Sequence, residues 1–251
     1  MTAAGKNSDS HGPTGTGWFA TTHWSVVLNA ADSASAGAQE ALEKLCRTYW
    51  YPLYAYVRRR GYDAHDAEDL TQSFFARLLE KDYVKRADRT RGKFRTFLLT
   101  SLQRFLADEW DRARRLKRGG GQPFISFDAL TAEERYKLEP VDTFDADRLF
   151  DRRWATTLLD QALRQLEHEQ SERNRGEPFQ QLRPFLTGEG AGNSYEEAAQ
   201  RLGMTVTAAR MAVSRLRERY RELLRAEILQ TVTDPLAAEE EFQSLQAALR
   251  D

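Results

Sequence analysis

From residue 38 onward, apolar side chains recur every three or four positions, and the alternation typical of strands is almost absent. Such spacing gathers the apolar side chains on one face of each helix, where they can be buried together. In the first segment, residues 38–60, these positions are Leu42, Leu45, Tyr49, Leu53, Tyr56 and Val57. Pro52 interrupts the segment, which predicts a kink or two abutting helices, and Gly61 ends it. The pattern predicts an all-α fold.

The later helical segments show equally regular apolar stripes. Asp63 can cap a second helix, whose stripe includes Leu70, Phe74 and Leu78. A third helix runs from about Gly92 to Arg118 and should bury Phe94, Leu98, Leu102, Phe105 and Leu106. Further stripes consist of Trp154, Leu158, Leu159, Ala162, Leu163 and Leu166, and then of Phe179, Leu182, Phe185 and Leu186.

The segments group into two small helical domains joined by an acidic linker. We predict a disordered tail over residues 1–21 and a first domain over 22–118. The linker is expected over 119–150 because that stretch has no sustained period. A second domain is predicted over 151–229 and a helical extension over 230–251. Because Pro235 starts an acidic amphipathic helix whose apolar stripe is Leu236, Phe242, Leu245 and Leu249, we expect the extension to pack on the protein or mask a surface.

Composition excludes several classes of protein. Charged residues make up 30% of the chain, and no apolar run approaches the roughly 18 residues that cross a bilayer. The polar N-terminus lacks an export signal, and the single cysteine, Cys46, excludes an intrachain disulfide or a multi-cysteine zinc site. We therefore expect a cytoplasmic protein without a membrane partner.

No motif indicates catalysis. The four histidines are scattered without metal-ligand spacing, and phosphate-binding loops and nucleophile elbows are missing from the sequence. We therefore predict that the protein is not an enzyme and needs no metal or cofactor.

Charge is balanced over the whole chain but not along it. The net charge is −1, yet residues 85–118 contain twelve Lys or Arg against four Asp or Glu. Residues 119–151 contain three basic against eight acidic residues, and residues 201–225 contain seven Arg against two Glu. Two basic blocks around an acidic one suit a protein that contacts nucleic acid twice, although solvated helix faces give the same pattern.

The most specific motif is SYEEAAQRLGMTVTAARMAVSRLRERYRELL, residues 194–224. Ser194 with Glu197 forms a capping box, and Thr205 or Thr207 can cap the next helix. The small residues Ala199 and Ala209 flank Gly203, as a helix-turn-helix requires for close crossing. The second helix projects arginines that can read guanine and hold phosphates in a major groove. A plain helical hairpin with an arginine-rich surface is the alternative.

Two further motifs precede it. The first, residues 63–80, has the sequence DAHDAEDLTQSFFARLLE and places acidic residues opposite its apolar stripe. Either a partner-binding face or simple helix capping produces this pattern. Thr71 and Ser73 lie beside this face, where a kinase could modify them. The second, residues 89–118, has the sequence RTRGKFRTFLLTSLQRFLADEWDRARRLKR and alternates basic and aromatic residues. This pattern favours binding to melted DNA, and Trp110 is the best candidate for a residue that stacks on a base.

These motifs, in this order, resemble bacterial sigma factors of the extracytoplasmic-function (ECF) family. DAEDLTQSFFARL resembles that family's polymerase-binding helix, FRTFLLTSLQRFLADEWDRARR its promoter-melting helix, and SYEEAAQRLG with SRLRERYRELL its helix-turn-helix. The resemblance implies a factor that binds core RNA polymerase and directs it to promoter DNA. An anti-sigma factor or a regulatory kinase is a further candidate partner. A stand-alone helix-turn-helix regulator, binding operator DNA as a dimer, is the alternative.

The resemblance also implies roles for individual residues. The polymerase-binding residues would be Asp66, Glu68, Asp69 and Gln72. The residues that contact the minus-ten element would be Arg91, Lys93, Arg95, Arg104, Trp110, Arg112 and Arg115. The residues that contact the minus-thirty-five element would be Thr207, Arg210, Ser214, Arg215 and Arg217. Phe97 stands where the family usually has Trp, and Ala208 and Ala209 replace its usual Thr-Val.

Overall fold

The structure is a computed structural model, which describes residues 36–79, 93–115, 129–137, 145–187, 194–232 and 235–250. Within these ranges the regular elements are helices, apart from one isolated antiparallel bridge between Lys93 and Val232. The all-α prediction is confirmed. The predicted tail, residues 1–21, and the glycine run, residues 119–121, lie outside the described residues.

The first part of the chain forms α1 (Ala36–Arg59), α2 (Ala64–Leu79) and α3 (Phe94–Arg115). The middle forms α4 (Ala129–Lys137) and the long α5 (Ala146–Glu172). The remainder forms α6 (Gly176–Leu182), α7 (Pro184–Thr187), α8 (Tyr195–Arg201), α9 (Val206–Leu229) and α10 (Pro235–Arg250).

Helix α1 carries the aromatic centre of the core. Pro52 lies inside the helix, which is continuous to Arg59, so the predicted split into two helices is not found. Gly61 then adopts a φ of 97°, a left-handed conformation that glycine enters without steric cost, and the chain turns into α2. Tyr49 is fully buried between Phe94 of α3 and Phe150 of α5, with ring centroids 5.1 and 6.5 Å away.

Helix α5 joins the two parts of the molecule. Towards α1, the Gln161 amide donates a hydrogen bond of 3.0 Å to the Thr48 hydroxyl. Towards α9, the Tyr220 hydroxyl donates to the Leu159 carbonyl at 3.1 Å. Buried apolar residues on α1, α3, α5, α9 and α10 form one continuous cluster. The two predicted helical units therefore pack on one shared helix.

The predicted linker, residues 119–150, contains more helix than its sequence suggested. Helix α4 lies within it, and α5 begins at Ala146, where Asp145 caps the helix by accepting from the Arg148 amide at 2.8 Å. A short helix such as α4 shows only two turns of apolar spacing, too few to establish a period. Its position is fixed by a distant contact, because Glu133 accepts from Arg58 of α1 at 2.9 and 3.0 Å.

Helix α10 packs against α5 and α9. Its buried face holds Ala237, Glu241 and Leu245, four residues apart. The predicted stripe was wrong at its ends, since Leu236 is 79% exposed and Leu249 is also exposed. No helix in the described ranges is long and apolar enough to cross a bilayer.

Candidate nucleic-acid and polymerase interface

Helix α2 presents an acidic face because its opposite side is buried. Asp63 caps the helix by accepting from the Asp66 amide at 2.8 Å. Ala67, Phe74 and Leu78 are fully buried, so the side chains of the other face point to solvent. Asp66 and Asp69 are exposed there.

Glu68 and Gln72 flank this face and are half-buried. The Gln72 amide donates to the Glu68 carboxylate at 2.8 Å, one helical turn away. Asp69 lies 3.2 Å from the imidazole of His65. The four predicted polymerase-binding residues thus share one surface. Thr71 is fully buried and its hydroxyl donates to the Ala67 carbonyl at 2.7 Å, so this candidate phosphorylation site is covered.

Helix α3 lies beside α2 and buries the stripe that the sequence predicted. Phe94, Leu98 and Leu102 are fully buried, and Phe105 packs on Phe74 with ring centroids 5.8 Å apart. The other face of its second half is exposed, including Arg104 and Arg112. Arg112 pairs with Glu109 at 2.6 Å, and Arg115 is the last residue of the helix.

A groove of about 700 Å³ runs along this exposed part of α3. It is lined by Trp110, which is 55% exposed, by the buried Tyr56 of α1 and by Arg60, which follows α1. The Gln103 amide donates to the Tyr56 hydroxyl at 3.2 Å within it. An exposed indole such as Trp110 in an open groove can stack a base, and a guanidinium such as Arg60 can hold its phosphate. Sequence reasoning missed Arg60 here, because it follows the helix end, whereas Tyr56 is buried as its place in the apolar stripe predicts.

The first turn of α3 is arranged differently. Arg95, whose side chain is 14% exposed, donates to both carboxylate oxygens of Glu241 at 3.2 and 2.8 Å. It also pairs with Asp151 and lies 4.4 Å above the ring of Trp154. Lys93 pairs with Glu240 at 2.9 Å. Two residues predicted to contact DNA, Lys93 and Arg95, are therefore paired with carboxylates of the same chain. Arg91 lies outside the described residues.

Burial and ion pairing have opposite effects on the pKa of Arg95. Burial, the largest single effect, lowers the pKa of its guanidinium, but the hydrogen bonds to Glu241 and the charges of Glu241 and Asp151 together raise the pKa above its ordinary value. For Asp151 the balance is reversed, because burial raises the pKa of the carboxyl although Arg95 counteracts it. Arg95 therefore stays charged, and its position depends on anionic partners.

Helices α8 and α9 are joined by a short turn, in the segment for which the sequence predicts a helix-turn-helix. Ser194 caps α8 by accepting from the Glu196 amide at 3.1 Å, and Thr205 caps α9 by accepting from the Ala208 amide at 3.2 Å. Gly203 in the turn has a φ of 64°, and Ala199 and Ala209 are buried where the helices cross. This geometry turns one face of α9 outward.

That outward face carries the predicted base and phosphate contacts. Thr207, Ser214 and Arg215 are exposed. Arg210 is also exposed, with its guanidinium 5.5 Å above the ring of Tyr195. The Arg217 guanidinium donates to the Phe185 carbonyl of α7 at 2.8 Å, so this arginine is partly engaged within the protein. Among the described residues, no group of three or more His, Cys, Asp or Glu is placed to hold a metal.

Comparison with known proteins finds a family match for the part of the chain that contains α2 and α3. Residues 38–116 match the family model of sigma-70 region 2, and this span contains α2, α3 and most of α1. No curated protein and no solved structure gives a significant match to the chain. Residues 38–116 are therefore similar to region 2 of sigma-70 factors.

Proposed function

We propose that this protein is an ECF-type sigma factor, which binds core RNA polymerase in the cytoplasm and directs it to promoters. The observation that carries the proposal is the sigma-70 region 2 match, whose span includes an exposed acidic face on α2 and an exposed aromatic groove beside α3. Helices α8 and α9, which we interpret as a helix-turn-helix, follow in the same chain.

The acidic face of α2 is the proposed polymerase contact. Asp66 and Asp69 supply exposed carboxylates, while Glu68 and Gln72 hold each other along the helix. Such a face is preorganised, because the helix and its cap fix the spacing of the carboxylates before a partner arrives. A basic surface on the polymerase would complement it.

The groove of α3 is the proposed site for melted minus-ten DNA. Trp110 offers a ring face to an unstacked base, and Arg60, Arg104 and Arg112 offer charges to phosphates. Helix α9 is the proposed reader of the minus-thirty-five element in duplex DNA. Its residues Arg210, Ser214 and Arg215 project from one exposed face, as a recognition helix requires.

The polymerase contact is tested by a pull-down of purified bacterial core RNA polymerase on the full chain. The variant Asp66→Ala/Asp69→Ala should retain much less polymerase than the wild type. Asp108→Ala/Asp111→Ala is the matched control, since it removes two exposed carboxylates at the same spacing from α3. Circular dichroism should show unchanged helix content in both variants, because these aspartates are exposed.

The possible results separate the proposal from its alternative. Loss of binding in the α2 variant alone supports the sigma-factor function and its contact. Equal binding by all three proteins would place the polymerase contact elsewhere. If the wild type binds duplex DNA but no polymerase, the protein is a stand-alone regulator and the proposal is wrong.

A further inference from the structure

We propose that residues 230–232 and α10, together the C-terminal arm, form an electrostatic latch. In this latch Glu240 and Glu241 form ion pairs with Lys93 and Arg95, which would otherwise bind single-stranded DNA. The inference rests on the proposed function, because it treats the first turn of α3 as part of the minus-ten contact. It explains why two predicted DNA-binding residues are covered in this structure.

The arm is tied to α3 by its backbone. The Phe94 amide, at the start of α3, donates to the Thr231 carbonyl at 2.9 Å, and Lys93 and Val232 form the isolated antiparallel bridge. Thr231 and Val232 are both buried. The arm thus meets the end of α3 where the basic block of the sequence enters the helix.

The carboxylates of the arm take the positions that phosphate oxygens would take. Glu241 accepts from two nitrogens of Arg95, the bidentate geometry that guanidinium also forms with phosphate. Glu240 pairs with the Lys93 ammonium at 2.9 Å. Since both cations lie within the region 2 match, DNA and the arm would compete for the same two charges.

Apolar contacts alone hold α10 only modestly. Leu245 is its one large buried aliphatic side chain in the described structure, and Ala237 is also buried, whereas Leu236 and Leu249 are exposed. Phe242 is half-buried, under the guanidinium of Arg225 at 5.5 Å. Ion pairs therefore contribute a large share of the contact, and ion pairs are what a polyanion displaces.

The two glutamates differ in a way that makes the latch testable. Glu240 is 64% exposed, so its replacement removes a latch charge with little risk to folding. Glu241 is 1% exposed, so its replacement leaves Arg95 buried beside Asp151 alone. The exposed Glu239 on the same helix is the matched control for charge.

The experiment measures binding of a fluorescein-labelled single-stranded DNA oligonucleotide by fluorescence anisotropy over a range of salt. Glu240→Gln should bind about threefold more tightly than Glu239→Gln, and Glu240→Gln/Glu241→Gln about tenfold. Freeing two cations should also steepen the salt dependence of the double variant, by up to about 1.4 in log–log slope. Equal affinities for Glu239→Gln and Glu240→Gln would overturn the latch.

A second readout covers the case in which Glu241→Gln fails to fold. Hydrogen exchange at the Phe94 amide of the wild type reports the bond to Thr231 directly. Saturating oligonucleotide should speed this exchange, and unchanged protection would contradict competition. If the wild type binds polymerase but neither readout changes, the latch fails and the proposed function stands. If no protein binds polymerase or DNA, the proposed function fails and the latch fails with it.

Discussion

Arg95 shows what local sequence cannot reveal about a single residue. It lies in a basic-aromatic block, and this pattern predicted a phosphate contact. Its partner Glu241 lies 146 residues away, so no local spacing indicates the pair. By contrast, the buried positions Phe94, Leu98 and Leu102 follow from helical period alone and are confirmed. Periodicity determines which side of a helix is buried, but the partner of a charged group depends on tertiary packing.

The pair of Glu169 with Arg219 should make stability depend on pH. Arg219 donates to Glu169 at 2.9 and 2.7 Å, and these bonds lower the pKa of that carboxyl. The stabilisation is complete above the ordinary carboxyl pKa of about 4.3 and is lost as the pH falls through the lowered folded value. Urea unfolding at pH 7 should show Glu169→Gln to be less stable by about 1 kcal/mol or less.

In acid this difference should shrink, because the wild-type carboxyl is then protonated as well. Glu218→Gln, an exposed position on α9, serves as the control and should match the wild type throughout. A Glu169→Gln penalty that persists at pH 3 would show that the side chain acts by packing instead of by charge.

Arg215 should contribute one phosphate contact to duplex binding. It is exposed on the outward face of α9, and no other proposed role requires its charge. Arg215→Ala should weaken duplex DNA binding and reduce the log–log salt slope by about 0.9. Anisotropy titrations at several salt concentrations measure both quantities. An unchanged slope with weaker binding would indicate a base contact in place of a phosphate contact.

At the scale of elements, turns were easier to predict than short helices. Gly61 and Gly203 both end helices with positive φ, as their positions in the sequence suggested. Helix α4 and the first turns of α5 were assigned to a linker, because an acidic stretch with few apolar residues resembles coil. Glu133 fixes α4 through Arg58, an interaction between residues 75 apart.

The turn between α8 and α9 should be sensitive to substitution of its glycine. A Cβ at Gly203 would meet no atom within 4 Å, so its cost is backbone strain alone. Gly203→Ala should lower the free energy of unfolding by roughly 1 kcal/mol, and Gly203→Asn by less, since asparagine tolerates this conformation better. Thermal unfolding measures both, with Gly176→Ala as a control at a glycine without positive φ. A neutral Gly203→Ala would show that the turn relaxes.

At the scale of the whole molecule, α5 makes the two halves depend on each other. It contacts α1, α9 and α10, and the buried apolar cluster continues across it. The sequence, divided at its acidic linker, does not reveal that α5 contacts both halves. The apolar stripe of α5 shows that one face of the helix is buried, but it does not show which helices cover that face.

Shortening a core side chain of α5 should therefore loosen both halves together. Leu158 is fully buried, and Leu158→Ala should cost roughly 2–5 kcal/mol. Hydrogen exchange of amides in α1 and in α9 should accelerate in parallel. The exposed Leu236→Ala should change neither. Acceleration confined to one half would mean that the halves unfold independently.

The ion pairs between the start of α3 and α10 also have a consequence for protein synthesis. Arg95 and Glu241 are separated by 146 residues, so a ribosome adding about 5–20 residues per second needs roughly 7–30 s to add Glu241 after Arg95. During that interval the nascent chain carries the start of α3 without Glu240 and Glu241. Lys93 and Arg95 are then more available to polyanions in the growing chain than after α10 has packed against α5 and α9.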